Sequence, residues 1–537
     1  MIKKNDEFEI SITDVSKEGS GIGHYNGMAV FVLGALSGDT VLCHVILIKK
    51  KYCIAKIVEI IKPSPDRIES DCPVSRSCGG CAYREIDYKK ELEIKAQTVA
   101  QTLKRIGKID CEVKPVMPFD RCGYRNKASF KIDQNFNLGF YAQNTHRIVK
   151  VKKCKVIPEI FWKIAEIFES WGKSHKLSVY DEKSHLGLVR GLMLRQAVAT
   201  GEILITVIVN GEALPYFDGF VNNLQELLGD KLAGVVLNIN TQNTNVILGK
   251  REKVLFGKNY ITDILCEKKF NISSLSFYQV NHDCAQALYN QVAKYGDVEG
   301  KTVLDLYCGA GTIGLSLSDK AKSIIGVEIV PQAIENAKQN AKLNGVKNAK
   351  FYCDDAKNFQ KFLDCSPDVV ILDPPRKGVD AATLKTVATE IEPERIVYVS
   401  CDVATLARDI NILSEYGYKY IDHQPFDMFP GTLHVETVVQ LVRKKPDTYI
   451  DITVDMDELD LTSSEAKATY DEIKDYIFDK HCVKVSSLYV AQVKQKHGII
   501  ERDCYNNSKK DNPKQPQCPT EKVKLIEEAL RHFKMIP

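Results

Sequence analysis

The chain has 537 residues, 44% hydrophobic and 27% charged, which leaves room for three or four globular domains and excludes the bias of a disordered or fibrous protein. Its formal net charge is only +3, so overall charge is no argument for a nucleic-acid partner, and any such contact must come from local patches. No apolar run approaches the ~18 residues needed to span a bilayer and Met1-Ile-Lys-Lys lacks a leader core, so a membrane role is excluded and a cytoplasmic location is expected. Seventeen cysteines without an export signal point to reduced thiols, a metal site or catalysis rather than a disulfide framework.

Residues 7–61 alternate apolar and polar positions in short runs (Phe8-Glu-Ile10-Ser-Ile12, Ala29-Val-Phe31-Val-Leu33, Val41 to Val45, Tyr52 to Ile57) separated by glycine-rich turns. Five short strands predict a small OB-like barrel, with Lys49, Lys50 and Lys51 either contacting phosphates or forming a solvated hairpin tip. After Pro63-Ser-Pro65 come Cys72, Cys78 and Cys81 in a turn-rich segment, with Gly79 and Gly80 letting the loop wrap an inorganic core. Three thiolates are one short of a tetrathiolate site, and either zinc or an iron–sulfur cluster satisfies coordination chemistry.

Tyr88 to Arg105 carries Leu92, Ala96, Val99 and Leu103 at helical spacing. From Cys122 a β-rich stretch follows, in which arginines and lysines alternate with Tyr124, Phe130 and Tyr141, a composition that suits phosphate contacts and base stacking as well as a plain core. Val303 to Leu306 is a buried-strand run leading into Gly309, Gly311 and Gly314, and the next such run, Ile324 to Val327, delivers Glu328 to a strand end where a carboxylate can hold ribose hydroxyls. Val369 to Leu372 ends in Asp373-Pro374-Pro375-Arg376, and Ile396 to Val399 ends in Ser400-Cys401-Asp402. A thiol and an acid on adjacent strand ends favour methylation of an unreactive carbon through a covalent intermediate over hydride transfer. Residues 450–537 read as an acidic tether from Asp451 to Asp460, a helix near 464–480, a second after Lys484, a polar loop from Asn506 to Gln517 and a last helix from Thr520 to Phe533, a winged-helix-like appendage. Its lysines, among them Lys494, Lys496, Lys509, Lys510 and Lys514, suit nucleic acid or a solvated face equally.

Phe277-Tyr-Gln279-Val-Asn281, Asp305-x-x-Cys-Gly-Ala-Gly-Thr312, Asp373-Pro-Pro-Arg376, Ser400-Cys401-Asp402 and His434-Val-Glu436-Thr437, in this order, resemble the RNA (uracil-5-)-methyltransferase family over roughly residues 1 to 445. The resemblance implies an α/β Rossmann-like S-adenosylmethionine methyltransferase domain (85–118 and 271–446), an N-terminal TRAM barrel (1–62), a β-rich central iron–sulfur and RNA-binding domain (63–84 and 119–270) and the helical appendage (450–537). It implies Cys401 as nucleophile and Glu436 as base. Gln279, Tyr307, Thr312, Glu328, Asp355 and Asp373 would bind the cofactor, although an aspartate like Asp355 also suits a helix N-cap. Arg376 would steady an oxyanion or a phosphate. Cys154 would complete a [4Fe-4S] cluster with Cys72, Cys78 and Cys81, zinc being the other metal considered. A helix like the one from Tyr88 would pack on the methyltransferase domain.

The expected partner is RNA, most closely 23S ribosomal RNA, with the protein a monomer. A tRNA uridine-C5 methyltransferase, an RNA cytosine-C5 methyltransferase and a non-catalytic RNA-binding iron–sulfur protein are the competing readings. The cytosine enzymes commonly carry a cysteine after the proline of the Asp373 segment, where this chain has Pro375-Arg376.

Overall fold

A computed structural model of the chain describes residues 2–444 apart from 17, 18, 144 and 245, and residues 468–536 apart from 482 and 500–516. It divides into one unit of residues 1–447 and a second of residues 448–537. Six strands open the first: β1 (Glu7–Ser11), β2 (Asp14–Val15), β3 (Ser20–Tyr25), β4 (Met28–Leu33), β5 (Thr40–Ile48) and β6 (Tyr52–Lys62), ordered β1-β5-β6-β4-β3-β2 in one curled sheet. Their alternate residues Ile10, Val30, Val32, Val41, Cys43, Val45, Cys53 and Ala55 fill its interior.

Helix α1 (Tyr88–Gly107) is capped by Asp87, whose carboxylate accepts from the backbone N–H of Lys89 and Lys90. The β-rich part then contains β7 (Lys127–Ile132), β8 (Leu138–Tyr141), β9 (Ile148–Lys150), α2 (Glu159–Ser174), β10 (Val189–Gln196), β11 (Ile203–Val209), α3 (Phe217–Leu228), β12 (Leu232–Ile239) and β13 (Arg251–Gly257), a seven-stranded sheet in the order β13-β12-β11-β10-β7-β8-β9. Every residue of β11 is buried because Ile-Leu-Ile-Thr-Val-Ile-Val has an apolar side for each face. Phe130 lies in the core under Trp162 and Tyr124 is also buried, so neither ring is free to stack on a base; Tyr141 is partly exposed, stacked on His146.

A hairpin of β14 (Tyr260–Leu265) and β15 (Lys268–Ser273) leads to α4 (His282–Gly296) and then to β16 (Thr302–Leu306), α5 (Thr312–Ser316), β17 (Ser323–Glu328), α6 (Pro331–Leu343), β18 (Ala349–Cys353), β19 (Val369–Leu372), α7 (Ala381–Thr386), β20 (Arg395–Ser400), α8 (Val403–Glu415), β21 (Tyr418–Phe426) and β22 (Glu436–Arg443). The sheet order is β18-β17-β16-β19-β20-β22-β21, with the first five strands parallel and β22 antiparallel to both neighbours. Alternate residues point to opposite faces, so Val303, Ile371, Val397 and Val399 pack under α4 and α6 while Leu304, Leu372, Ile396 and Tyr398 pack under α1 and α8. This is a Rossmann-like sheet whose second layer is completed by a helix from far upstream in the sequence.

What holds α1 there is partly ionic. The ammonium of Lys95, buried, donates to Glu91 Oε1 at 2.7 Å and to Asp427 Oδ1 at 2.6 Å, and Glu91 also accepts from the N–H of Gly431 at 2.7 Å. Breaking a buried pair leaves its partner uncompensated, so Lys95→Met is expected to destabilise this unit by about 3–5 kcal/mol. Denaturant unfolding reads this directly; a loss below about 1 kcal/mol would show that the carboxylates are solvated in some other way.

In the second unit α9 (Tyr470–His481), α10 (Ser487–Lys496) and α11 (Thr520–His532) pack through Ile473, Ile477, Val490, Val493, Ile526 and Leu530. It is helical, and among the described residues it has no strand that could serve as a wing. The acidic tether, the start of the first expected helix, all but the end of the polar loop, and Lys509, Lys510 and Lys514 lie outside the described residues. Among the described residues no helix is long and apolar enough to cross a membrane.

Candidate active site

The carboxyl ends of the parallel strands share one edge, and the residues singled out from the sequence fall along it in two groups. On the β16–β17–β18 side the chain leaves β16 through Tyr307 (φ +66°), Gly309 (φ +55°) and Gly311 (φ +75°). A Cβ on Gly311 would lie 2.9 Å from the Phe351 ring, so position 311 requires glycine for space as well as for backbone conformation. Asp305 Oδ2 accepts from the N–H of Gly314 at 3.1 Å and fixes the turn, while its buried Oδ1 has no partner. Burial, with Asp373 and Glu328 nearby, pushes Asp305 up to about 8.

Glu328 ends β17 and its carboxylate accepts from Gly309 N–H at 3.2 Å and Val330 N–H at 2.9 Å, which holds it at the mouth of the glycine loop. Thr312 opens α5 with its hydroxyl 2.9 Å from that of Tyr289. Gln279 is buried before α4, its carbonyl accepting from Asn126 Nδ2 at 3.0 Å. Asp355 caps the short 3-10 helix Ala356–Phe362, accepting from Lys357 N–H at 3.1 Å, so this carboxylate has a structural task in its own right.

On the other side, Asp373 follows β19, Cys401 follows β20 and Glu436 opens β22. Ser400 and Thr437 are cross-strand partners, so the next residues outward, Cys401 and Glu436, face each other at the end of the antiparallel pair. Burial raises Glu436 to about 8, with Asp373 adding to the rise and Arg376 opposing it. Burial alone takes Asp373 to about 7. Cys401 rises to about 11 through burial and then the Glu436 charge, against the pull of the nearby Arg376 guanidinium. Arg376 Nη2 donates to His434 Nε2 at 3.3 Å, and burial and that same guanidinium hold His434 below the usual histidine range.

Arg376 therefore sits on the nucleophile candidate and on His434, a placement that its motif alone does not disclose. The only sequence signal for His434 is its position two residues before Glu436. The arrangement puts a thiol, a guanidinium and a carboxyl poised near neutrality on one wall, groups that could serve addition followed by proton transfer.

The raised carboxyl has a consequence for stability. An unfolded glutamate releases its proton near 4.5 whereas folded Glu436 holds it to about 8. Between those values the unfolded state binds fewer protons, so stability falls as pH rises through this window and then levels. Glu436→Gln removes the effect. Its melting temperature relative to wild type is expected to climb from pH 5 to pH 8, and a pH-independent difference in thermal melts would contradict the assignment.

A family model described as tRNA (Uracil-5-)-methyltransferase matches residues 87–444, and a TRAM-domain model matches residues 3–58. The chain belongs to the tRNA (uracil-5-)-methyltransferase family. It is 42% identical over 446 residues to an RNA methyltransferase of Clostridium tetani, covering 82% of this chain and 96% of that one. A Clostridium acetobutylicum RNA methyltransferase is 41% identical over 454 residues, covering 82% and 98%. Among solved structures, the Pyrococcus abyssi tRNA (uracil-54, C5)-methyltransferase in complex with S-adenosyl-L-homocysteine aligns with a TM-score of 0.67 at 27% identity, covering 81% of this chain and 99% of that one. The protein is thus an enzyme of the methyltransferase class, and RNA is its substrate class.

This methyltransferase brings its cysteine-rich segment against β8, with Gly79 N–H donating to the Tyr141 carbonyl at 2.9 Å; a Cβ on Gly79 would meet the Gln143 backbone at 2.9 Å. Cys81 is pushed up to about 12 by burial and then by Cys154, Cys78 and Cys72, and Cys154 is raised by burial, Cys72 and Cys78. The four thiols therefore lie within electrostatic reach of one another. Among the described residues, however, no group of three or more His, Cys, Asp or Glu side chains converges tightly enough to hold a single metal ion.

Proposed function

We propose that this enzyme methylates C5 of a uridine in RNA, with large-subunit (23S) ribosomal RNA as the target. The observation that carries the reading is the facing pair Cys401 and Glu436 at the end of β20 and β22, beside Asp373. Uracil C5 is too weak a nucleophile to take a sulfonium methyl unaided. Cys401 Sγ bonds to C6, which makes C5 an enolate carbon; C5 takes the methyl of S-adenosylmethionine, releasing S-adenosylhomocysteine. Glu436 then removes the C5 proton, the C5–C6 double bond re-forms and the C6–S bond breaks. Arg376 favours the thiolate at both ends of this cycle by its charge.

S-adenosylmethionine supplies the methyl group. Its nucleoside suits the glycine loop, with Glu328 for the ribose hydroxyls, Asp355 for adenine, Tyr307 and Thr312 along the loop, and Gln279 and Asp373 toward the methionine end. The unpartnered Asp305 oxygen and the open space at Gly309 support that fit.

A chain with both a barrel and a cysteine segment most resembles the ribosomal-RNA members of the family, and mapping 5-methyluridine in total RNA from a deletion strain tests this target. Loss in 23S rRNA alone is expected; loss in tRNA would favour the target named for the Pyrococcus relative.

Cys72, Cys78, Cys81 and Cys154 suit a [4Fe-4S] cluster. Coordination chemistry accepts zinc or a cluster at four such thiols, and the cluster is preferred by resemblance to the family. When bound it would supply a structural cross-link. Protein purified anaerobically is expected to be brown with about four irons per chain; stoichiometric zinc without iron would overturn this assignment.

A further inference from the structure

One face of β7 carries a row of positive charge whose carboxylate neighbours lie only at its flanks, Glu182 toward Lys131 and Glu252 toward Arg195. Its sequence Lys-Ala-Ser-Phe-Lys-Ile sends Ala128, Phe130 and Ile132 into the core under α2, leaving Lys127, Ser129 and Lys131 on the opposite face. The cross-strand partner of Lys127 on β10 is Arg195, which shares that face, and Arg125, just before the strand, bridges Asn281. Arg125 lies within electrostatic reach of Lys127 on one side and of His434 on the other. The row therefore begins beside the Arg376–His434 pair and runs away from it along β7.

The two ends of the row differ. Lys131 sits over the Tyr141 ring, whose hydroxyl donates to Glu182 at 3.0 Å, so its charge has a local answer. Arg195 Nη2 donates to the carbonyls of Ser274 and Ser276, but its buried Nε has no partner. The buried Ser129 hydroxyl has none either. Among the described residues the side chains of Arg125 and Lys127 make no ion pair and no hydrogen bond. Burial and the repulsion of Arg195 and Arg125 bring Lys127 down to about 8. Enclosed donors of one sign cost stability unless an anion completes them.

We propose that Arg125, Lys127 and Ser129 form a seat for an RNA backbone phosphate next to the target nucleotide, so that the central sheet fixes the register of the strand whose uridine enters the Cys401 site. This rests on the proposed RNA methylation. It deepens that reading by naming a specificity-determining contact: a phosphate gripped beside His434 positions the flanking nucleotide without reading its base. The three polar groups come from one short segment, Arg125 to Ser129, while Asn126 between them ties the segment to the Gln279 carbonyl. Seating the RNA and holding the methyl-donor side of the site are thus tasks of the same five residues.

Arg125→Gln and Lys127→Gln, each in the full-length protein, test the seat. On a stem-loop RNA that the wild type methylates, each is expected to raise KM about tenfold with kcat within about threefold, and to lower the slope of log K against log salt by about 1. Lys127→Arg should restore both, and S-adenosylhomocysteine affinity without RNA should match wild type. Because Lys127→Gln removes a repelled cation, its melting temperature should equal or exceed that of wild type. Ser129→Ala offers a second, uncharged probe, expected to raise KM with an unchanged salt slope.

An unaltered slope and KM in both glutamine variants would overturn the seat while leaving the methylation reading intact. Weakened S-adenosylhomocysteine binding without RNA would also overturn it, by showing that these cations serve the cofactor carboxylate. Wild-type protein that forms no 5-methyluridine in any RNA would instead sink the functional reading on which the seat rests.

Discussion

Glu436→Gln is expected to stop the enzyme after methyl transfer and leave it bonded to its RNA. The substituted amide keeps the shape of the side chain at the head of β22 but cannot accept the C5 proton, and in the buried setting of position 436 water is excluded as a ready substitute. Cys401 still adds to C6 and C5 still takes the methyl group. Elimination then has no base, so turnover should fall by about 10³-fold or more while a species larger than the free protein persists on denaturing gels when RNA and S-adenosylmethionine are both present. Rapid turnover in this variant would move the base elsewhere, with Asp373, itself raised to about 7, as the next group to test.

Cys401→Ala should fail one step earlier. Without the thiol no bond forms at C6 and C5 never becomes nucleophilic, so the activity loss should again reach about 10³-fold or more, but with no adduct under any condition. RNA and S-adenosylhomocysteine affinities should stay near wild type, since the partner of the thiol in the resting site is Arg376. The two variants together order the chemistry: adduct without turnover in one, neither in the other. An adduct in Cys401→Ala would mean that another of the chain's cysteines attacks.

Much of the site was legible because each strand of a parallel sheet brings its carboxyl end to one edge, so a motif directly after an apolar run is placed by the run itself. Asp305, Glu328, Asp373 and Cys401 were located in that way. Glu436 is different: it opens an antiparallel strand, and only the Ser400–Thr437 register brings it opposite Cys401. Arg376 was visible in its motif, but its choice of the thiol and His434 depends on a turn whose direction no periodicity encodes.

The helical spacing of α1 predicts its apolar face. Nothing local predicts that Lys95 reaches Asp427, 332 residues away, or that the pair is buried. In the central sheet the alternation in Lys-Ala-Ser-Phe-Lys-Ile separates Phe130 from Lys127, yet which face meets the core is settled only by α2 and Trp162. A strand pattern shows two faces without saying which is inside, and this is why Phe130 looked as suited to stacking on a base as to packing.

In the proposed reaction a uridine C5 proton is exchanged for a methyl group. RNA transcribed with [5-³H]uridine, incubated with the full-length enzyme and S-adenosylmethionine, reads that exchange directly. One tritium is expected to be released to water for each methyl group incorporated, and neither event without the other. Methyl incorporation with tritium retained in the RNA would contradict it, because the methyl group would then sit on a ring nitrogen, a ribose oxygen or another base.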